Sequence, residues 1–178
     1  MRGDGGPLAV EIVPFDGQRP RNTFSCGRRP IDAWYKNHAK KCVKRAEYCV
    51  FEALVPQAPR PVGYYALQIG NESMSALENK PDDFTKNYTA FPAVHLAYLG
   101  VDEKFQGRGI GTAFLSDVFE SVYKISQMAG LYALTLQSLD EDSTRFYRKL
   151  GFTPYSDHPT SPKMLIPLRI IIQLVEEA

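Results

Sequence analysis

The sequence predicts an α+β fold, a central mixed and mostly antiparallel sheet flanked by helices. Three observations carry this expectation. Two segments rich in aromatic and branched residues, "EYCVFEALV" and "VGYYALQIG", flank the Pro-laden turn "PQAPRP" and read as an antiparallel hairpin. A third such segment, "AVHLAYLGV", runs into "VDEKFQGRGIGTAFL", where Gly107, Gly109 and Gly111 alternate directly before an apolar-periodic run. Another strand-like segment, "LYALTLQSL", follows that run, so strands occur both as a hairpin and around helices.

Taken in order, "LAVEIV" near Leu8 reads as the first strand. Pro30 opens a helix that the pattern carries to about Arg45, with Pro at the favoured first turn. After the hairpin, the polar stretch Asn71 to Pro92 leaves room for a short helix before the strand "AVHLAYLGV". Past the glycines, Ile110, Phe114, Val118, Val122 and Ile125 keep near-helical spacing, which predicts an amphipathic helix starting at the turn itself. "DEDSTRFYRKLGF" has acids at its start, bases at its end and Gly151 as a stop, the charge order that suits a helix dipole. "MLIPLRIIIQL" is expected to close the chain as a final strand.

The 178 residues, 44% hydrophobic and 23% charged, suit one globular domain spanning residues 1–178. Cys26, Cys42 and Cys49 are too few for a disulfide framework and suit a reducing setting. The longest apolar run, "MLIPLRIIIQLV", is broken by Pro167 and Arg169 and falls short of the ~20 residues a bilayer span needs. "MRGDGGPLAV" lacks the apolar core and cleavage site of a secretory signal. The expectation is a cytoplasmic protein without a membrane anchor. His38, His95 and His158 are scattered, and no Cys/His spacing suggests zinc, so no metal is expected.

Net charge is +1, yet residues 1–60 carry eleven basic and six acidic side chains against ten and fourteen in residues 61–178. Lys36, Lys40 and Lys44 recur every four residues, flanked by Lys41 and Arg45, which on one continuous helix makes a basic face. Such a face is either a solvated surface or a contact for a polyanion such as RNA.

A glycine-rich loop at a helix N-terminus presents backbone N–H groups and the positive end of a helix dipole, a place for phosphate. The dinucleotide pattern G-x-G-x-x-G fails at Thr112, and the Gly-Lys-Ser/Thr of a P-loop is missing. An ordinary structural turn stays open on the loop alone.

The combination goes further. "Q-G-R-G-I-G-T" resembles the Q/R-x-x-G-x-G/A acyl-CoA pyrophosphate loop of the GNAT superfamily of N-acetyltransferases, with Gln106, Gly109 and Gly111 at its fixed positions. "STRFYRKLGF" is similar to the family's helix and strand after the cofactor site, and the likeness runs from "LAVEIV" to "IIIQL". "FSCGRRPIDAWYKNHA", "HLAYLGVDEKFQGRGIG" and "SPKMLIPL" resemble, more narrowly, the GNAT toxins of toxin–antitoxin pairs. One departure stands out: that subgroup carries arginine before Leu-Ala-Val-Asp, and this chain has Tyr98 followed by Leu99-Gly100-Val101-Asp102.

The resemblance implies a GNAT fold and acetyl transfer from acetyl-CoA to a primary amine, with the α-amine of a charged tRNA as the leading acceptor. It also implies a ribbon-helix-helix antitoxin and a homodimer, dimers being common in the fold. Residue by residue, it places Gln106, Gly107, Arg108, Gly109, Ile110, Gly111 and Thr112 on the pyrophosphate. Backbone N–H groups of Leu99, Gly100 and Val101 meet the oxyanion and the pantetheine arm, and Asp140, Ser143 and Phe146 line the rest of the cleft. Tyr147 matches the general acid; a phenol of pKa ~10 is protonated at neutral pH and can serve a leaving thiolate whose acid has pKa ~8.5. Without the motif, Tyr147 reads as a core-edge tyrosine. Asp140, Glu141 and Asp142 read on their own as stabilising a helix start. An α-amine of pKa ~7.7–8.0 hardly needs a strong base, and His95 is either that base, directly or through water, or a structural histidine. The same fold could serve a housekeeping enzyme for a small amine or a protein N-terminus, or a module that binds acyl-CoA without catalysis.

Overall fold

A computed structural model of the chain describes residues 8–73 and 89–178. The elements are β1 (Glu11–Pro14), α1 (Arg29–Asn37), α2 (Ala39–Lys44), β2 (Cys49–Leu54), β3 (Gly63–Ser73), β4 (Ala90–Val101), a 3-10 turn (Glu103–Phe105), α3 (Ile110–Ser126), β5 (Ala133–Gln137), α4 (Glu141–Lys149), β6 (Thr153–Pro154), β7 (Lys163–Pro167) and α5 (Leu168–Glu176). Seven strands form a sheet in the order β1-β2-β3-β4-β5-β7-β6. Of the described registers only β4 with β5 is parallel; β1/β2, β2/β3, β5/β7 and β6/β7 are antiparallel. The mixed, mostly antiparallel sheet is the one expected.

The expected hairpin is β2–β3, with Cys49 opposite Leu67 and Ala53 opposite Gly63. The helix after the glycines is α3, whose Ile110, Phe114, Val118 and Val122 are buried. The short helix allowed for between Asn71 and Pro92 falls largely on residues 74–88, outside the described residues, while β3 reaches Ser73 and β4 begins at Ala90. The first strand is shorter than "LAVEIV" suggests and starts at Glu11.

Two expectations are corrected. "MLIPLRIIIQL" is not one strand: β7 pairs with β5 only as far as Pro167, and α5 begins at Leu168. Pro167 caps the turn with φ −62° and ψ 144°, and Leu168, Ile171, Ile172 and Val175 then recur at helical spacing on the side that Ile171 buries. The isoleucine run has the composition of a strand and the period of a helix. The helix over Pro30–Arg45 is also broken, at His38, which ends α1 and starts α2 with φ −118°. Asn and His are poor helix formers, and the break separates half-buried Lys36 from the exposed Lys40, Lys41, Lys44 and Arg45. No single basic face therefore runs through all five.

The chain divides into two compact units, residues 1–68 with 97–118 and residues 69–96 with 119–178. The first has a core of Phe24, Cys26, Trp34, Tyr35, Ala39, Val50, Tyr64 and Ala66. Its buried carboxylate, Glu52, accepts from the Tyr35 hydroxyl at 2.6 Å and from Arg19 at 2.8 Å, so the charge is paired where it is enclosed. The second unit packs Phe91, Ala93, Ala133, Tyr155 and Leu165 together, with Phe119 stacked near Phe152. No helix among the described residues is long and apolar enough to cross a membrane.

Candidate active site

In the first unit the glycine loop is hung from the end of β4. Gln106 donates through its side-chain amide to the carbonyls of Val101 (2.9 Å) and Cys26 (3.0 Å), so this side chain fixes the loop rather than reaching out for an anion. Beside it Asp102, almost fully buried, accepts from Arg60 at 2.8 Å, from the Ser25 amide at 3.3 Å and from the Lys104 amide at 3.2 Å. Ser25 donates to Glu103 at 3.0 Å, and the Cys26 amide donates to Asp32 at 2.8 Å. These bonds anchor the loop to the segment that leads into α1.

Gly107 and Gly109 adopt φ +73° and +81°, the left-handed region, and nothing lies within 4 Å of where a Cβ would stand at either. The glycines answer a backbone demand, and the space beside them is open. From Gly109, whose carbonyl accepts the Ala113 amide at 2.9 Å, α3 begins. The N–H groups of Ile110, Gly111 and Thr112 fall in the first turn, where a helix has no carbonyl to offer them. Arg108 lies over the Phe105 ring at 5.9 Å and keeps its charge beside the loop. An open left-handed cradle, first-turn amides and a cation suit a pyrophosphate, so these residues fit acetyl-CoA.

Leu99, Gly100 and Val101 lie on β4 past Leu96, the last residue in its described register with β5. Gly100 is needed for packing: a Cβ would stand 2.9 Å from Ile31 Cγ2, 3.3 Å from Phe24 and 3.4 Å from Cys26 Sγ. Burial, with the Asp32 carboxylate beside it, pushes the Cys26 thiol up to about 12, which leaves it inert.

In the second unit Asp140 and Ser143 are engaged with each other as a capping box on α4. The Asp140 carboxylate accepts the Ser143 amide at 2.9 Å, and the Ser143 hydroxyl accepts the Asp140 amide at 2.9 Å. This is the helix-start role read from the acids. Phe146 lies edge-on to Tyr147, centroids 5.2 Å apart, and Phe152 packs on Tyr147 at 5.6 Å. The Tyr147 ring is 9% exposed, and its hydroxyl has no hydrogen-bond partner among the described residues. Burial pushes its pKa up, so the phenol is protonated throughout the neutral range. His95 stands opposite Thr135 in the β4/β5 register, Nδ1 3.1 Å from the Thr135 hydroxyl. Burial lowers its pKa, Glu72 opposes that and Lys163 adds to it, so the imidazole is neutral and able to accept a proton.

Sequence reasoning missed the anchors Ser25, Asp32, Arg60 and Asp102. The bonds from Ser25 to Asp102 and Glu103 span 77 and 78 residues and the bond from Arg60 to Asp102 spans 42, and no local pattern announces such pairs.

The "Acetyltransferase (GNAT) domain" family model matches residues 46–154. The chain belongs to the GNAT acetyltransferases. Within them it groups with toxins of toxin–antitoxin systems. It is 31% identical to the "tRNA-acetylating toxin" of Mycobacterium tuberculosis over 82% of this chain and 84% of that protein. It is 26% identical to the "Probable toxin TacT" of Sinorhizobium fredii over 92% of this chain and 94% of that one. Among solved structures, a tyrosine-to-phenylalanine mutant of KacT superposes with a TM-score of 0.84 at 25% identity, covering 94% of this chain and 99% of that one. AtaT complexed with acetyl-methionyl-tRNAfMet has the same fold, with a TM-score of 0.81 at 24% identity over 94% of this chain and 98% of that one.

Proposed function

We propose that this chain, as one domain over residues 1–178, transfers an acetyl group from acetyl-CoA to the α-amine of aminoacyl-tRNA in the cytoplasm and so blocks translation. The observation that carries the reading is the loop at Gly107 and Gly109, whose left-handed backbone and open flank at the α3 N-terminus suit the donor's pyrophosphate. The likeness to a tRNA-acetylating toxin over 82% of the chain supports the acceptor.

Acetyl-CoA supplies an acyl group activated as a thioester. Gly107, Arg108, Gly109, Ile110, Gly111 and Thr112 hold its pyrophosphate, and Gln106 sets the loop's shape. Backbone N–H groups of Leu99, Gly100 and Val101 are assigned to the developing oxyanion, a role that needs fixed donors rather than a particular side chain. Tyr147 keeps a proton on its phenol oxygen and is assigned to deliver it to the leaving thiolate. His95, held neutral by burial, is assigned to accept the proton lost by the amine. Asp140 and Ser143 act through the start of α4, and Phe146 covers Tyr147.

Solved relatives include AtaT bound to the C-terminus of the antitoxin AtaR, which supports a protein antitoxin for this chain. Its ribbon-helix-helix type and a homodimeric toxin are carried by family likeness.

The test is acetyl transfer from labelled acetyl-CoA to charged tRNA, with uncharged tRNA and small amines in parallel. Label on charged tRNA alone supports the reading. Label on a small amine favours the housekeeping alternative, to which the net charge of +1 also points. Tyr147→Phe is expected to lower kcat by about 10²–10⁴-fold with acetyl-CoA affinity kept. Unchanged turnover removes Tyr147 as the acid, and no turnover by the wild-type chain with any amine leaves a binding module.

A further inference from the structure

Four rings of the first unit form a near-parallel ladder. Tyr35 stacks on Tyr64 at 4.2 Å and 7°, Tyr64 on Trp34 at 6.0 Å and 14°, and Trp34 on Tyr98 at 4.1 Å and 15°. Exposure rises along it, from 0% at Tyr35 and Tyr64 to 8% at Trp34 and then to half-buried Tyr98. Tyr98 has one other ring neighbour among the described residues, Tyr48, inclined at 58° and 6.3 Å away. A ring stacked on one side by a rigid ladder is a preorganised surface for a further flat group.

The surroundings say which group. Cys42 and Val43 of α2 pack against the same core as Tyr48 and Tyr98, and the helix leaves Lys40, Lys41 and Lys44 exposed, none of them ion-paired with a described residue. An aromatic face flanked by unpaired cations is the combination that binds single-stranded nucleic acid, bases on the ring and phosphates on the cations. Duplex bases are already stacked and cannot use it. Tyr98 also directly precedes Leu99, the first of the backbone groups assigned to the oxyanion, so a base held there lies close along the strand to the reacting end.

We propose that Tyr98 is a stacking platform for an unpaired base at the 3′ end of the tRNA substrate, with Lys40, Lys41 and Lys44 of α2 on the neighbouring phosphates. This rests on the aminoacyl-tRNA reading above and specifies how the acceptor strand is held.

Trp34 is the sole tryptophan and lies against Tyr98, so its fluorescence reports on the platform. The experiment titrates a short single-stranded RNA ending in CCA, and the same sequence within a duplex, into the full chain at several salt concentrations. The single strand is expected to change Trp34 emission and to bind at least tenfold tighter than the duplex. Tyr98→Ala weakens it roughly tenfold, in line with the loss of one stacked base, and Tyr98→Phe restores it. The triple change Lys40→Ala, Lys41→Ala and Lys44→Ala lowers the salt slope by about two. Equal binding of single strand and duplex, or an unchanged affinity in Tyr98→Ala, overturns the proposal. Should Tyr98→Ala fail to fold, an unchanged salt slope in the triple variant overturns it instead. With charged tRNA, Tyr98→Ala is expected to raise the tRNA KM while the acetyl-CoA KM stays. If it instead changes which amino acid is preferred and leaves RNA affinity alone, the ring contacts the amino-acid side chain and the platform is wrong. Wild-type enzyme that ignores charged tRNA defeats the parent reading; wild-type enzyme that acetylates it with Tyr98→Ala at the same KM defeats only the platform.

Discussion

The side-chain amide of Gln106 donates to the carbonyl of Val101 at 2.9 Å, closing the glycine loop back onto the strand that precedes it. A second bond to Cys26, at 3.0 Å, ties the same nitrogen to the segment before α1. Each bond is worth about 0.5–1.5 kcal/mol net. Gln106→Leu removes both donors, and the acetyl-CoA Kd, read by calorimetry, is expected to rise about tenfold while the chain stays folded. An unaltered Kd means that the loop holds its shape without them.

Two glycines of the site fail substitution for different reasons. Gly100→Ala places a methyl 2.9 Å from Ile31 Cγ2 and is expected to lower stability by about 1–3 kcal/mol through overpacking. Gly107→Ala meets no atom within 4 Å and is expected to cost about 1–2 kcal/mol through its φ of +73° alone. Gly107→Asn, which tolerates that φ, should recover most of the loss in chemical denaturation. If Asn and Ala cost the same, strain is not the cause.

Burial raises the phenol pKa of Tyr35, Tyr64 and Tyr147. In the unfolded chain these groups ionise near pH ~10, while in the folded chain they remain protonated at that pH. The unfolded state then binds fewer protons, so stability is fully present below pH ~10 and falls as pH rises above it. Each such phenol contributes a loss of about 1.4 kcal/mol per pH unit. Thermal melts across the alkaline range should show Tm falling above about pH 10, and a flat Tm would contradict the buried phenols.

His95 offers a kinetic test of its role. Its pKa is lowered from 6.5, chiefly by burial, so as a base it would bend the acid limb of kcat/KM below that pH. His95→Gln should remove the bend and lower the plateau. A profile that keeps the same acid limb in His95→Gln assigns it to another group, and leaves His95 as the partner of Thr135.

Much of the fold was legible because period and punctuation agree. The β2–β3 hairpin, α3 and the acid-capped α4 each combine a clear apolar pattern with a turn or cap signal. The terminal isoleucines of α5 misled because β-branched composition and helical spacing point in opposite directions. The break at His38 comes directly before Ala39, which is fully buried, and a run of lysines does not announce that burial. In the site, the glycines were legible as an alternating run directly before an apolar-periodic helix, and the start of α4 through its acids. Gln106 was legible as a motif position, but its work as an anchor was not, since its carbonyl partner on Cys26 lies 80 residues away.

That separation bears on synthesis. Ser25 and Cys26 leave the ribosome long before Asp102 and Gln106, whose bonds to them span 77 and 80 residues. Closing loops of that size costs entropy that only a gathered chain repays. The donor loop thus waits for both of its anchoring segments: a chain stalled before Gln106 has no route to it, and one released there still lacks α3. For a protein assigned to act on the translation machinery, the order of its own assembly keeps a partly made chain incompetent, since α4, which carries Tyr147, is made after the loop.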